Sequence, residues 1–445
     1  MKPFFALIGC LLVIPAQANE LVRLYQAALD TDTRLQISAA ARDAAGYAKP
    51  QAFGALLPQI NGGYDFTRNI QEQTTTGLPC SGTQFNCKFY FNTKGLSVVL
   101  NQTIFDYGVL RRLSLADRQA AAGESAYRSA RQALALRVAE AYFGVLAADD
   151  NLRFAIAENQ ANERSLEQAR QRFQVGLSAI TDVQEAQARY DLTVAQKILA
   201  EQTVSDARNA LTEIVGTAPG AVVPLVEDIA LNGPDPADVN RWVKSALNDN
   251  LDLATAQLQA DIASSQIEIA RAGHFPKVGL TAQYQDGSQG GRFSSEQTQE
   301  SIGLQLSVPI YAGGAVQAAV NAAAATQRQK VAELETARRQ VERLTRSAYQ
   351  GVLTGIAQVK ALKQAVVSNT TALEASEVGL QVGARTSLDV LNAQRELYRA
   401  QSNYSKSRYD YLLNVLRLKQ AAGRLGEPDL QEVDRLLAAA ALNPQ

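Results

Sequence analysis

The chain has 445 residues, which is enough for two ordinary domains. Its composition, 46% hydrophobic and 20% charged, is typical of an ordered protein and excludes a disordered one. With 43 basic and 44 acidic residues the net charge is −1, so the sequence has no basic field with which to bind nucleic acid.

The chain begins with a predicted secretory signal, residues 1–18. One basic residue precedes an apolar run over 4–14, and the small-residue end at 16–18 predicts cleavage before Asn19. The apolar run continues past Cys10, which argues against a lipoprotein anchor there. No later run approaches the ~20 apolar residues that a membrane helix requires.

Export leaves the mature chain with two cysteines, Cys80 and Cys87, in an oxidising compartment. This favours a local disulfide between them, and the alternative is two free thiols in a loop. Six intervening residues without partner histidines are a poor spacing for a metal site. We therefore expect no metal and no cofactor.

One stretch occurs twice, and the rest of the chain is organised around it. Residues 175–187 read VGLSAITDVQEAQ and residues 382–394 read VGARTSLDVLNAQ, at a constant spacing of 207 residues. The matched pairs include Gly176 with Gly383, Asp182 with Asp389, and Gly216 with Gly423. The protein is therefore a tandem duplication of one unit.

Each unit contains a long interval without proline, about 80–218 and about 310–427. Because an interior proline breaks a helix, each interval is predicted as a very long helix, a tight turn at Gly176 or Gly383, and a returning helix. The first outgoing helix, about 109–174, would be on the order of 100 Å long. The prediction is two antiparallel helical hairpins.

The returning helices carry a coiled-coil seam in alternating steps of three and four residues. In the second unit the seam is Val390, Ala393, Leu397, Ala400, Tyr404, Ser407, Tyr411, Asn414 and Leu418. In the first unit it is Val183, Ala186, Tyr190, Thr193, Lys197, Ala200, Val204, Ala207 and Leu211.

Two segments before each hairpin alternate apolar and polar residues with a period of two. They are predicted as strands at about 58–68, 94–105, 277–286 and 300–311. Each has the length that crosses a bilayer as part of a barrel; the alternative is a soluble four-stranded sheet that packs on a helix. Four strands are too few to enclose water, so a barrel requires several copies, and three would supply twelve strands.

The predicted fold class is an α+β membrane protein with long coiled-coil α-hairpins and four β-strands per chain. The predicted layout is a signal (1–18), a first repeat (19–216), a connector (217–238), a second repeat (239–424) and a C-terminal tail (425–445). Shorter helices, about 20–55 and 239–273, begin each repeat, and the hairpins occupy about 108–216 and 314–424.

Several ordered pairs of motifs carry a family resemblance. They are Leu57-Pro58 with Phe275-Pro276, Pro309-Ile310-Tyr311 with Gly313-Gly314, Ala141-Tyr142 with Ala348-Tyr349, and the two segments Arg172–Leu177 and Ala179–Gln184. The mature chain resembles the TolC family of outer-membrane efflux and secretion channels over essentially its whole length.

The resemblance implies a homotrimer in the outer membrane of a Gram-negative bacterium, in contact with outer-membrane lipid. Its strands would form a twelve-stranded barrel, and its helices a periplasmic tunnel. The tunnel would be docked by a periplasmic adaptor and an inner-membrane efflux pump or ABC transporter, for multidrug efflux or type I protein secretion.

The resemblance also implies a gate at the turns. The matching positions are Thr181, Asp182 and Arg385, with Asp182 and Arg385 as a charge-assisted pair between neighbouring helices. The alternative is ordinary solvated charges at a helix turn, with Asp182 capping the returning helix. The family pattern has a tyrosine where this chain has Leu380, which puts the Thr181 link in doubt and places closure on Asp182 and Arg385.

The family places two acidic rings at the constriction, and the matching positions are Asp389 and Asn392. Three copies of Asp389 would attract cations, whereas Asn392 carries no charge. We expect one acidic ring, with weaker cation selectivity or weaker block by multivalent cations.

The sequence predicts no enzyme. The single histidine, His274, lies at a helix-to-strand junction, and no phosphate-binding or dinucleotide-binding motif is present. Two hypotheses remain: a trimeric export channel, or a periplasmic coiled-coil adaptor or scaffold without a pore. The four alternating strands favour the channel.

Overall fold

The computed structural model describes residues 20–74, 83, 86–220, 222–226, 228–291 and 294–441. The predicted signal lies outside these residues. The chain divides into two compact units. The hairpin unit contains Met1–Ala40, Ser125–Ala254 and Thr336–Gln445, and the sheet unit contains Ala41–Glu124 and Thr255–Glu335.

Ten α-helices occur in the described residues. They are α1 (Glu20–Thr31), α2 (Thr33–Gly46), α3 (Ala48–Gly54), α4 (Tyr107–Gln174), α5 (Ile180–Val215), α6 (Val239–Asp249), α7 (Leu251–Arg271), α8 (Ala315–Gln381), α9 (Ser387–Ala421) and α10 (Glu427–Ala441). Helices α4 and α8 contain 68 and 67 residues and are the outgoing arms of the two hairpins. None of the described helices is long and apolar enough to cross a membrane. The predicted tail contains α10, which the sequence analysis did not anticipate.

The four strands form one antiparallel sheet in the order β1-β2-β3-β4. They are β1 (Gln59–Thr74), β2 (Asn86–Asp106), β3 (Lys277–Gln289) and β4 (Ser295–Ser307). Strands β1 and β2 pair well beyond the apolar alternation, to Thr74 and Asn86, because backbone pairing continues through polar residues. Strand β4 ends at Ser307, short of the predicted 311, because Pro309 has no N–H to donate to the ladder.

One face of the sheet is apolar, because the register aligns the alternating residues of neighbouring strands. Tyr64 lies opposite Leu96, and Leu280 opposite Leu304. This face is exposed in the sheet unit, with Ile302 at 78% and Leu304 at 70% of full exposure. The alternative in which it packs on a helix is therefore wrong. Within the described residues, no further strand pairs with the outer edge of β1 or of β4.

The core of the hairpin unit lies among α1, α4, α5, α8, α9 and α10. Its largest fully buried side chains include Tyr142, Phe143, Leu211, Leu416 and Leu430. Every position of the predicted seam is buried or half-buried, so the seam is confirmed. We call the end of this unit that α1, α6 and α10 cover the root, and the end that carries residues 175–189 and 380–392 the turn end.

The root contains a buried carboxylate that joins the first and last helices. Asp434 of α10 is 1% exposed, and its two oxygens accept hydrogen bonds from the backbone N–H groups of Leu21 and Val22, both at 2.9 Å. The first amides of a helix have no partner within the helix, so Asp434 satisfies two donors of α1. Burial raises the pKa of Asp434, and these two hydrogen bonds oppose the rise.

A second buried carboxylate joins the two hairpins in the root. Asp150 of α4 accepts hydrogen bonds from the Tyr409 hydroxyl at 2.7 Å and from Arg153 Nη2 at 2.6 Å. It also accepts one from the Ser405 hydroxyl. Burial raises the pKa of Tyr409, so its hydroxyl stays a donor. Because a buried polar group without a partner is costly, this cluster fixes α9 against α4.

Candidate functional site

The two hairpin turns are built alike. Helices α4 and α8 end at glycines in the left-handed region, Gly176 with φ +73° and Gly383 with φ +77°. The following N–H groups close the turns by bonding back to carbonyls five residues earlier, Leu177 to Arg172 and Ala384 to Gly379, each at 2.8 Å. Glycine adopts this conformation without the strain that a Cβ would impose.

The starts of the returning helices differ at the N-cap residue, among others. Helix α9 begins at the N-cap Thr386, whose hydroxyl accepts from the Asp389 N–H at 3.2 Å, while an Asp389 oxygen accepts from the Thr386 N–H at 2.9 Å. The matching N-cap of α5 is Ala179, which has no side-chain acceptor. In the second repeat the aspartate caps its own helix, and in the first repeat Asp182 does not.

The reciprocal cap changes the acidity of Asp389. Hydrogen bonds from the backbone and hydroxyl of Thr386 lower the pKa of this carboxyl, and the positive charge of Arg385 lowers it further. Asp389 is therefore an anion through the neutral range, and its carboxylate is partly committed to the start of α9.

Asp182 has no such commitment. Among the described residues, no side chain forms a hydrogen bond or ion pair with Thr181, Asp182 or the Arg385 guanidinium. The structure of one protomer thus places Asp182 and Arg385 at the same end of the hairpin unit and does not bring them together. Asp182 does not cap α5 in the protomer, since no backbone N–H among the described residues donates to its carboxylate, and its own N–H bonds to the Ala179 carbonyl.

Arg385 is positioned by a close contact across the turn. A Cβ at Gly379 would lie 2.6 Å from the Arg385 Cγ and 3.2 Å from its Cβ. The aliphatic part of the Arg385 side chain therefore lies against the backbone of Gly379, although Arg385 is exposed overall. The absence of a side chain at position 379 sets where the guanidinium emerges.

Asn392 makes a contact that the sequence analysis missed. Its Oδ1 accepts a hydrogen bond from Nη2 of Arg189 at 2.9 Å, which joins α9 to α5. No local pattern identifies a pair that is 203 residues apart. The one available signal is that Arg189 follows Asp182 by two helical turns, on the same side of α5.

The predicted disulfide lies outside the described residues. Cys80 falls in a part of the chain that is not described, and Cys87 is described only as a backbone position of β2, opposite Gln73. The bond between them stays a prediction. Among the described residues, no cluster of three or more His, Cys, Asp or Glu side chains could hold a metal ion.

A family comparison decides what these features belong to. The family described as outer membrane efflux protein matches the chain twice, over residues 24–217 and 242–424. This chain belongs to the outer membrane efflux protein family. The two matches fall on the two predicted repeats, so each repeat carries the family pattern.

Individual members of the outer membrane efflux protein family are similar over nearly the whole chain. The outer membrane protein TolC of Vibrio cholerae is 36% identical over 430 residues, which cover 95% of each protein. The alkaline protease secretion protein AprF of Pseudomonas aeruginosa is 31% identical and covers 92% of this chain and 85% of its own. These relatives place this efflux protein in the outer membrane of a Gram-negative bacterium, as an export channel.

The fold agrees with solved structures of outer-membrane channels. The CmeC outer membrane channel of Campylobacter jejuni superimposes with a TM-score of 0.76 at 16% identity, over 94% of this chain and 89% of its own. Relatives and structural neighbours are channels, so the alternative of an adaptor or scaffold without a pore is wrong. The relatives that match this outer membrane efflux protein are channel proteins rather than enzymes.

Proposed function

We propose that three copies of this chain form one duct, with a twelve-stranded barrel in the outer membrane and a helical tunnel in the periplasm. The observation that carries the proposal is the four-stranded sheet with an exposed apolar face and two unpaired edges. In water such a face and such edges are unfavourable. Joining β1 of one copy to β4 of the next removes the edges, and lipid covers the face.

The duct would serve both drug efflux and type I protein secretion. Two facts support this breadth: the family is that of efflux proteins, and a relative covering 92% of the chain is named for the secretion of an alkaline protease. A periplasmic adaptor and an inner-membrane pump or ABC transporter would dock on the hairpins and supply the energy.

The gate would be an ion pair between neighbouring protomers. Asp182 and Arg385 both lie at the turn end and carry opposite charges, and neither has a side-chain bond within the part of the protomer that the structure describes. A pair formed across the protomer boundary would satisfy both and hold adjacent hairpins together, with Thr181 beside it. Asp389 would form the single acidic ring just above the turns, and Asn392 would add no charge to it.

Single-channel conductance in a planar bilayer tests the duct and the gate together. We expect a small, cation-preferring conductance from the wild type and a larger one from Arg385→Ala. Three exposed pairs at up to ~1 kcal/mol each would shift the closed-to-open equilibrium by up to about 100-fold. Arg399→Ala is the matched control, since Arg399 is exposed on α9, the helix that follows Arg385, and has no partner among the described residues.

A charge exchange separates the pair from the arginine alone. The double variant Asp182→Arg with Arg385→Asp should return the conductance toward the wild-type value, because the pair is restored with reversed polarity. An Arg385→Ala channel that matches the wild type would keep the duct and reject this gate. Well-folded protein that forms no pores would reject the duct.

A further inference from the structure

At the turn end, a side-chain bond joins the two hairpins of a protomer. Beginning at the turns, the first such bond among the described residues is from Arg189 on α5 to Asn392 on α9. The next contacts toward the root run between α4 and α9. The Tyr398 hydroxyl meets the Ala157 carbonyl at 3.5 Å, and the Asp150 cluster follows. The Arg189 bond is the one that reaches α5.

Arg189 also feels the charge of a third helix. Glu158 of α4 lies near Arg189 and Arg395: burial raises the pKa of this carboxyl, and the charges of Arg395 and Arg189 oppose the rise. Both Arg189 and Asn392 are half-buried. The guanidinium therefore bonds to an amide oxygen of α9 and is within the electrostatic range of an acidic group of α4, and its half-burial reduces competition from water.

The chemistry of the pair suits a contact that breaks and re-forms. Arginine stays charged at every physiological pH, and its bond to a neutral amide oxygen is charge-assisted without being an ion pair. Such a bond is strong enough to hold two helices in register. When the bond opens, the acceptor left without its partner is a neutral amide and not an anion, because Asn392 carries no charge.

We propose that the Arg189–Asn392 bond is a tie within each protomer that holds the hairpins together at the turn end, and that it breaks when the duct opens. The proposal rests on the proposed function. The two contacts are distinct, because the Asp182–Arg385 pair would join neighbouring protomers. Arg189 and Asn392 are positioning residues, since they act through the packing of α5 against α9.

The tie also gives Asn392 a role other than that of a missing charge. With its oxygen on Arg189, Asn392 is a structural partner of α5. An aspartate at this position would form an ion pair with Arg189 and tighten the tie. A residue that only lined the pore would behave differently, because Asn392→Asp would then add a second acidic ring and raise cation selectivity.

A double-mutant cycle in the planar bilayer tests the tie. Arg189→Ala and Asn392→Ala should each raise the open fraction by at least roughly 10-fold, the size expected for one charge-assisted hydrogen bond, since the trimer loses one such bond in every protomer. The double variant should open no further than either single variant, since both remove the same bond. Asn392→Asp should lower the open fraction and leave cation selectivity unchanged.

Arg170→Ala is the matched control. Arg170 Nη2 donates to Gln187 Oε1 at 2.7 Å, the same chemistry at the same end, but between the two arms of one hairpin. It should leave the open fraction unchanged. Each variant is first checked for its heat-resistant oligomer, so that a folding defect is not taken for opening.

Any one of the following results would overturn the tie: Arg170→Ala opening the pore as much as Arg189→Ala, single effects that multiply in the double variant, or Asn392→Asp raising cation selectivity. A wild type that forms pores while Arg189→Ala leaves them unchanged rejects the tie alone. If wild-type protein of correct fold forms no pores, the proposed function and the tie fall together.

Discussion

The root and the turn end of the hairpin unit are made from the same helices and differ in where their polar groups find partners. In the root, Asp150 and Asp434 are buried, and their oxygens accept bonds from other helices. At the turn end, neither Asp182 nor Arg385 has a side-chain bond to another described residue of the protomer. The comparison teaches that one coiled-coil seam can support a fixed anchor at one end and a separable contact at the other.

The glycines that end the helices are tightly packed in the root and loosely packed at the turn end. Gly216 and Gly423 end the returning helices in the root, and Gly176 and Gly383 end the outgoing helices at the turns, all with φ between 71° and 78°. A Cβ at Gly216 would touch Thr31 at 3.0 Å, and one at Gly423 would overlap the Asp249 carbonyl. A Cβ at either turn glycine would meet nothing within 4 Å.

The largest expected effect comes from Asp434→Ala. Two buried N–H groups of α1 would lose a charged acceptor, at about 1.5–3 kcal/mol each, so the free energy of unfolding should fall by roughly 3–5 kcal/mol. Denaturant unfolding followed by circular dichroism measures it. Asp410→Ala, an exposed change on α9, should stay within ~0.5 kcal/mol of wild type. Equal effects of the two variants would show that α1 is not anchored by Asp434.

An intermediate effect on stability is expected from two single variants, Gly423→Ala and Gly383→Ala. Both place a side chain in the left-handed region, at roughly 1–2 kcal/mol. Only Gly423→Ala also forces the Asp249 carbonyl to move, so it should lower the melting temperature clearly more. If Gly383→Ala proved as destabilising, the turn end would be as tightly packed as the root, against the comparison.

The smallest effect is expected from Thr386→Val, which removes the hydroxyl of the cap and keeps the backbone bond. The pKa of Asp389 should rise toward its ordinary value, because the hydrogen bond from the Thr386 hydroxyl stabilises the carboxylate anion and the variant lacks it. The stabilisation of the start of α9 is present above the ordinary aspartate pKa and is lost as the pH falls through the lowered one.

The reversal potential as a function of pH measures the Thr386→Val effect. Acidification should remove cation preference at a higher pH in the variant than in the wild type. Thr371→Val, an exposed threonine of α8, controls for the loss of a hydroxyl. Identical titrations of Thr386→Val and wild type would mean that Asp389 does not govern the selectivity.

Much of the architecture was predictable because it depends on the local periodicity of apolar residues in the sequence. The seam on α5 and α9, the two turns and the four strands each depend on spacings of two to four residues, and a duplicated chain displays each pattern twice. Even the apolar face of the sheet followed from alternation, since the side-chain period of a strand is two.

The contacts that distinguish the two ends were not predictable. Asp434 bonds to Leu21 across 413 residues, and Arg189 to Asn392 across 203. No periodic pattern selects one buried carboxylate or one guanidinium from its exposed neighbours. Helix α10 is different, because its own sequence carries a signal that was overlooked: Leu430, Val433 and Leu437 are buried at helical spacing, and acidic residues occupy its first turn.

The order of the strands carries a statement about ancestry. Strands β2 and β3 belong to different repeats, yet they pair with each other over nearly the whole length of β3. A protein of one repeat would need six copies to make the same ring, and the pairing of β2 with β3 would then be an interface between separate chains. Fusion of two repeats places this interface within one chain and lets the sequences of the two repeats differ. The N-cap residues Ala179 and Thr386 are an example of such a difference. In a ring of three chains, the turns of the first and second repeats can therefore differ in chemistry, whereas the turns of six identical units could not.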